Sequence, residues 1–268
     1  MNDRAAFAKL VDALAPWADQ LVFVGGWAHR LYRLHPKASL PAYQPLTTLD
    51  ADVAFAERQQ LQGNIQERLV DAGFKEELTG QHQPPVSRYT LGEDGSSGFY
   101  AEFLTPLIGS NLTRGGKQLA TVAKAGVTAQ QLRYLELLFR SPWLIRLTDE
   151  WSAVPLELRI PNPVSFIVQK LLIHDERARD KKAQDILYIR DTLELFAPEL
   201  DALAMIWRDD VGKAMHKNWV LRMRQTIDTA FGKLNDTIRD AASIPQDRNL
   251  DPEQMRAMCH AALGEMLE

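Results

Sequence analysis

Residues 47–55 read Thr-Thr-Leu-Asp-Ala-Asp-Val-Ala-Phe, and the fold turns on them. Side chains alternate across a strand, so Ala51, Val53 and Phe55 share one face while Asp50 and Asp52 share the other. An apolar face predicts burial, and burying a strand that aims two carboxylates at one spot is costly unless something cationic sits there. Upstream, the short run Leu21-Val22-Phe23-Val24 ends at Gly25-Gly26 and gives way to helical spacing through Ala28, Leu31 and Tyr32. That order predicts a strand, a tight turn and a helix.

Working outward, Phe7, Leu10, Val11 and Leu14 recur at helical spacing and predict a helix over 5–17. Pro36, Pro41 and Pro45 make 34–46 an irregular loop, because proline lacks an N–H and restricts its preceding neighbour. A helix is expected from Leu61 to its stop at Gly73. Strands follow at Val86–Leu91 and Phe99–Leu104, flanking the turn-rich 92–98, so a hairpin with a long loop is predicted. Between Gly109 and Leu158 the reading is a further helix and two strands, Trp143–Leu147 and Val154–Ile160. Pro161-Asn162-Pro163 then punctuates the chain, and helical periodicity dominates beyond it, as in Ile186, Ile189, Leu193 and Phe196. The predicted class is α+β: an amino-terminal domain over 1–160 built on a mixed sheet with helices, and an α-helical domain over 161–268 that closes over the site.

The composition narrows the chemistry. A chain of 268 residues with 46% hydrophobic and 25% charged residues is ordinary globular protein and long enough for two cores. A net charge of −4 provides no global field for nucleic acid or anionic membrane, so any such partner must meet a local patch. Arg208, Lys213, Lys217, Arg222 and Arg224, with Trp207 and Trp219, read either as an RNA-facing patch or as a solvated helical face, the second being favoured. The single Cys259 excludes an intramolecular disulfide framework and, with no HxH or HExxH among the six histidines, leaves zinc chemistry unsupported. No apolar run approaches the ~20 residues that span a bilayer, and the first twenty residues lack a signal-peptide core. A cytoplasmic protein without a membrane partner is expected.

Two acids on one strand face suit a hard cation such as Mg²⁺ or Mn²⁺, which asks for oxygen ligands. A pair of such ions about 3.5–4 Å apart, completed by a third carboxylate from a neighbouring strand, is the arrangement that drives phosphoryl and nucleotidyl transfer. Glu102, on the predicted strand after the hairpin, is the best third acid; Glu93 and Asp94 fall in the turn and are weaker. Gly25-Gly26 lets backbone N–H groups approach a phosphate, or is a plain strand-to-helix turn. Thr48 either binds metal-linked phosphate or ends the loop. Arg88 either contacts phosphate or pairs with one of the acids.

At these residues a resemblance becomes specific. FVGGWAHRLY (23–32) followed by TTLDADVAF (47–55) resembles the hydrophobic-Gly-Gly/Ser and Asp-x-Asp signature of the polymerase β nucleotidyltransferase superfamily, and EFLTPL (102–107) resembles its third acidic strand. The nearest likeness is to a bacterial branch related to abortive-infection type IV toxins, and it covers roughly 20–195. Two departures stand out: the gap from Gly26 to Asp50 is longer than in the core pattern, and Gly26 replaces a common serine. The resemblance implies a polymerase β-like fold and a helical half carrying a lysine and a later aspartate. Their counterparts are Lys170, reaching the triphosphate, and Asp185, with Arg177, Lys181 and Lys182 between. Read from the residues alone, Lys170 also suits a snorkelling helix lysine and Asp185 an N-cap.

The expected function is therefore a Mg²⁺-dependent nucleotidyltransferase that moves an NMP from an NTP to an acceptor. Asp50, Asp52 and Glu102 hold the metal, Gly25, Gly26, Thr48 and Arg88 face the nucleotide, and Lys170 and Asp185 support it. RNA or protein is favoured over a small molecule as acceptor, and the toxin-related branch implies an antitoxin as partner. The rivals are a non-catalytic nucleotide sensor of the same fold and a metal-dependent phosphodiesterase.

Overall fold

A computed structural model describes residues 3–56, 58–79, 85–91, 98–109, 121–148, 151–152 and 155–268. The chain divides into two compact units, 1–34 with 47–161, and 35–46 with 162–268. The proline-rich segment 35–46 thus leaves the first unit and belongs to the second, which a division into two contiguous stretches does not foresee.

The first unit opens with helix α1 (Asp3–Leu14), which buries Phe7, Leu10, Val11 and Leu14. Pro16 then ends regular α-helix and a 3₁₀ turn runs through Trp17. Strand β1 (Val22–Val24) leads directly into α2 (Gly25–Leu31). Strand β2 (Asp50–Ala54) follows the irregular segment, and α3 (Ile65–Asp71) starts behind Asn64, whose side chain caps the Glu67 N–H. It is shorter than the periodicity predicts, with Gly73 at φ +88° two residues past its end.

Strands β3 (Phe74–Thr79), β4 (Val86–Leu91), β5 (Tyr100–Pro106), β6 (Thr121–Lys124), β7 (Val127–Leu132), β8 (Trp143–Leu147) and β9 (Leu156–Ile160) complete the unit. The main path runs β3-β4-β5-β2-β1-β9-β8, with β7 joined to β5 and β6 to β7. Pairings β2–β5, β5–β7 and β1–β9 are parallel and the others antiparallel, so the sheet is mixed. The expected strands at 86–91, 99–104 and 143–147 are present, whereas the hairpin loop 92–97, with Glu93 and Asp94, lies outside the described residues, as do 153 and 154.

Strands β3, β6 and β7 are not foreseen. In β3, Lys75, Glu76 and Glu77 obscure the pattern because this edge strand exposes half of its side chains. Of the helix expected between 109 and 158, the described residues hold a 3₁₀ turn, Leu135–Phe139.

One sheet face packs an aromatic core. Phe7 stacks on Trp27 at a centroid distance of 3.9 Å and meets Phe23 edge-on at 5.5 Å, while Tyr89 meets Phe103 edge-on at 5.8 Å. Ala51, Val53, Phe55 and Ala101 are fully buried. On the opposite face, Val22, Val24, Ala54 and Leu104 pack with Leu135 and Leu138 of the 3₁₀ turn. That apolar cover fills only part of the face, and the acids occupy the rest.

The second unit is helical: α4 (Pro163–Ile173), α5 (Arg179–Leu195), α6 (Leu200–Ile206), a π turn through Val211, α7 (Gly212–Ala214), α8 (Lys217–Phe231), α9 (Asp236–Ala242) and α10 (Pro252–Met266). Asn162, Asn235 and Asp251 cap α4, α9 and α10 with their side chains. Segment 35–46 is fastened to α5: Ser39 N–H donates to the Leu195 carbonyl at 2.7 Å, and Arg190 donates to the Tyr43 hydroxyl at 3.1 Å. Arg248 stacks on the Tyr43 ring and makes two hydrogen bonds, 2.8 and 2.6 Å, to the buried Asp191 carboxylate. The irregular segment is thereby held by a buried ionic network. Among the described residues, no helix is long and apolar enough to cross a membrane.

Candidate active site

The sheet register assembles the candidate residues into rows. Val24 pairs with Asp52, Asp52 with Glu102, Glu102 with Arg88, and Arg88 with Glu77. One step along, Asp50 pairs with Tyr100 and Tyr100 with Thr90. Residues directly opposite one another project to the same face. Asp50, Asp52, Tyr100, Glu102, Arg88 and Thr90 therefore share one polar, half-buried face across β2, β5 and β4. Their neighbours Ala51, Val53 and Ala101 fill the core behind.

The row is wired together by charge. Arg88 Nε donates to Glu102 Oε1 at 2.8 Å, and Nη2 lies 2.7 Å from the same oxygen. The guanidinium also lies over the Tyr100 ring, 4.2 Å from its centroid. Burial tends to lower the Arg88 pKa, but the hydrogen bond to Glu102 and its charge outweigh burial and hold the guanidinium more firmly protonated than usual. Burial pushes the Tyr100 hydroxyl pKa up, and the negative charges of Asp50, Glu102 and Asp52 add to the rise against Arg88. Of the two readings open for Arg88, pairing with an acid is the one the geometry contains. Thr48 is buried, and its hydroxyl donates to the Asp50 carboxylate.

Gly25 has a physical reason beyond a turn. Its φ is +64°, and a Cβ there would stand 2.3 Å from Asp52 Oδ2. Glycine is required at the point where backbone meets the carboxylate. Gly26 is the second residue of α2, and Val24 offers its first turn no side-chain cap.

Lys170 and Asp185 lie in the other unit, and they are brought together there. Both are buried, Lys170 Nζ donates to Asp185 Oδ1, and Arg177 Nε donates to Oδ2 at 3.1 Å. Phe166 and Tyr188 bracket the ammonium with ring centroids each 4.8 Å away. Lys170 is thus no snorkelling surface lysine, and Asp185, inside α5, is no N-cap. In the basic stretch beyond, Lys213 pairs with Asp209 and Arg222 with Glu176, while Trp207 is buried.

Residues 2–212 match the nucleotidyltransferase family model. The chain belongs to the nucleotidyltransferase family. That match spans α1, the acidic face and the Lys170–Asp185 pair, so both clusters fall inside the family's extent. No curated protein matches the chain.

A nucleotidyltransferase of this kind implies a divalent cation, and the donors suit one: three carboxylates on one face, two on one strand and the third in register beside Asp52. Yet among the described residues no group of three or more His, Cys, Asp or Glu side chains is disposed to hold a metal ion. Asp50 is engaged by Thr48 and Glu102 by Arg88. The residues fit in chemistry and in backbone placement, and these pairings would have to give way to metal contacts. Sequence reasoning did not single out Tyr100 or Thr90. Period two from Glu102 would have placed Tyr100 beside the acids, but an aromatic on a strand ordinarily reads as core.

Proposed function

We propose that the chain transfers an NMP from an NTP to an RNA or protein acceptor with Mg²⁺ or Mn²⁺, as a toxin or defence factor. The observation that carries this reading is the register row placing Asp52 between Val24 and Glu102, with Gly25 close against the Asp52 carboxylate and Asp50 two residues along on the same face. Asp50 and Asp52 would hold the metal and Glu102 would join them. Such an ion offsets triphosphate charge and polarises the phosphorus under attack.

The chain's own groups supply the rest. Backbone N–H groups at Gly25-Gly26 approach phosphate and Thr48 orients Asp50. The acceptor's nucleophile bonds to the α-phosphorus, the bond to the β-phosphate oxygen breaks, pyrophosphate leaves, and Glu102 takes the acceptor's proton.

A second reading, nucleotide binding without turnover, is favoured by the engagement of Glu102 with Arg88. One experiment separates them: α-labelled NTPs, Mg²⁺ or Mn²⁺, and total cellular RNA and protein, beside Asp50→Asn/Asp52→Asn. Label on RNA or protein with wild type alone supports transfer and names the acceptor class. Nucleotide binding with no transfer under any metal establishes the sensor, and metal-dependent cleavage without NTP a phosphodiesterase.

A further inference from the structure

We propose that Arg88 is a latch on the third carboxylate, a positioning residue that holds Glu102 away from the metal until a divalent cation displaces it. This rests on the metal reading of Asp50 and Asp52. Both guanidinium contacts fall on one oxygen, Oε1 of Glu102, at 2.7–2.8 Å. Arg88 and Glu102 sit opposite each other on β4 and β5, and Asp52 sits opposite Glu102 on the other side. Glu102 therefore has a fixed cation on one flank and the Asp52 carboxylate on the other.

The rest of the row keeps the latch in place. The Tyr100 ring lies beneath the guanidinium, and Glu77, opposite Arg88 on β3, adds a second negative charge in its neighbourhood. A guanidinium does not give up its proton in this range, so Arg88 cannot leave Glu102 by neutralisation. It must be out-competed, and a divalent ion held by Asp50 and Asp52 brings twice its charge to the same carboxylate. The pair is only partly buried, with side chains 35% and 21% exposed, so the competition is one that a divalent ion can win.

The test is Mn²⁺ binding to the nucleotide-free full chain, read by the electron paramagnetic resonance signal of free Mn²⁺. Arg88→Gln should bind Mn²⁺ about fivefold more tightly than wild type, the scale of a part-exposed ion pair. Arg88→Lys, which keeps a charge but loses the planar fork, should fall between the two. In the Glu102→Gln background the gain from Arg88→Gln should largely vanish, since there is no carboxylate left to release. A gain that persists undiminished there would mean Arg88 acts only as a nearby positive charge and overturns the latch. Unchanged or weaker binding by Arg88→Gln also overturns it. Asp52→Asn separates this failure from failure of the metal reading: Mn²⁺ binding that is indifferent to Asp52→Asn sinks the metal site itself.

Discussion

Replacing Gly25 with alanine should destabilise the chain by about 2–5 kcal/mol through two separable contributions. The first is backbone strain: Gly25 sits at φ +64°, where a residue with a Cβ costs about 1–2 kcal/mol. The second is collision, because the new Cβ would stand 2.3 Å from Asp52 Oδ2, well inside contact distance. Relieving such overpacking by moving neighbours costs about 1–3 kcal/mol. Only the collision depends on Asp52, so Gly25→Ala in an Asp52→Ala background should cost about 1–2 kcal/mol, the backbone part alone. Urea denaturation followed by tryptophan fluorescence measures both, since Trp17, Trp27, Trp143 and Trp151 lie in the same unit as Gly25. The coupling between the two substitutions should be about 1–3 kcal/mol. Costs that agree within about 0.5 kcal/mol in the two backgrounds would refute the account.

Phe7→Ala removes a ring stacked on Trp27 and edge-on to Phe23, and should cost about 3–5 kcal/mol by the same urea titration. Asp191→Ala leaves Arg248 without its two carboxylate bonds in a buried network, and should cost about 3–5 kcal/mol, with earlier proteolysis within 35–46 as an independent readout. Burial pushes the Cys259 thiol pKa up to about 12 from 9.0. The unfolded thiol therefore loses its proton first, so this group's contribution to stability is intact below pH 9 and is lost as pH rises from 9 towards 12. Cys259→Ala should flatten the fall in stability across that window in urea titrations at stepped pH, and native wild-type Cys259 should resist a thiol reagent at pH 8 that labels it in urea.

Local and periodic features could be read along the chain. Alternation in 49–55 placed Asp50 and Asp52 on one face, because a buried Ala51, Val53 and Phe55 leave them nowhere else to point. The prolines of 34–46 excluded regular structure, and the 3.6-residue spacing after 161 specified helices. Neighbour relations across the sheet were decided only by tertiary structure. That Glu102 lies beside Asp52 and Arg88 beside Glu102 depends on a parallel β2–β5 pairing and an antiparallel β4–β5 pairing, whose registers join residues far apart in the chain. The same holds for 35–46, whose attachment to α5 through Tyr43, Arg190, Asp191 and Arg248 uses residues about 150 to 200 positions away. Charged edge strands such as β3 escaped notice for a related reason: half of the β3 side chains face solvent, so much of what specifies it is the backbone ladder to β4, and a ladder leaves no periodic mark in one chain segment.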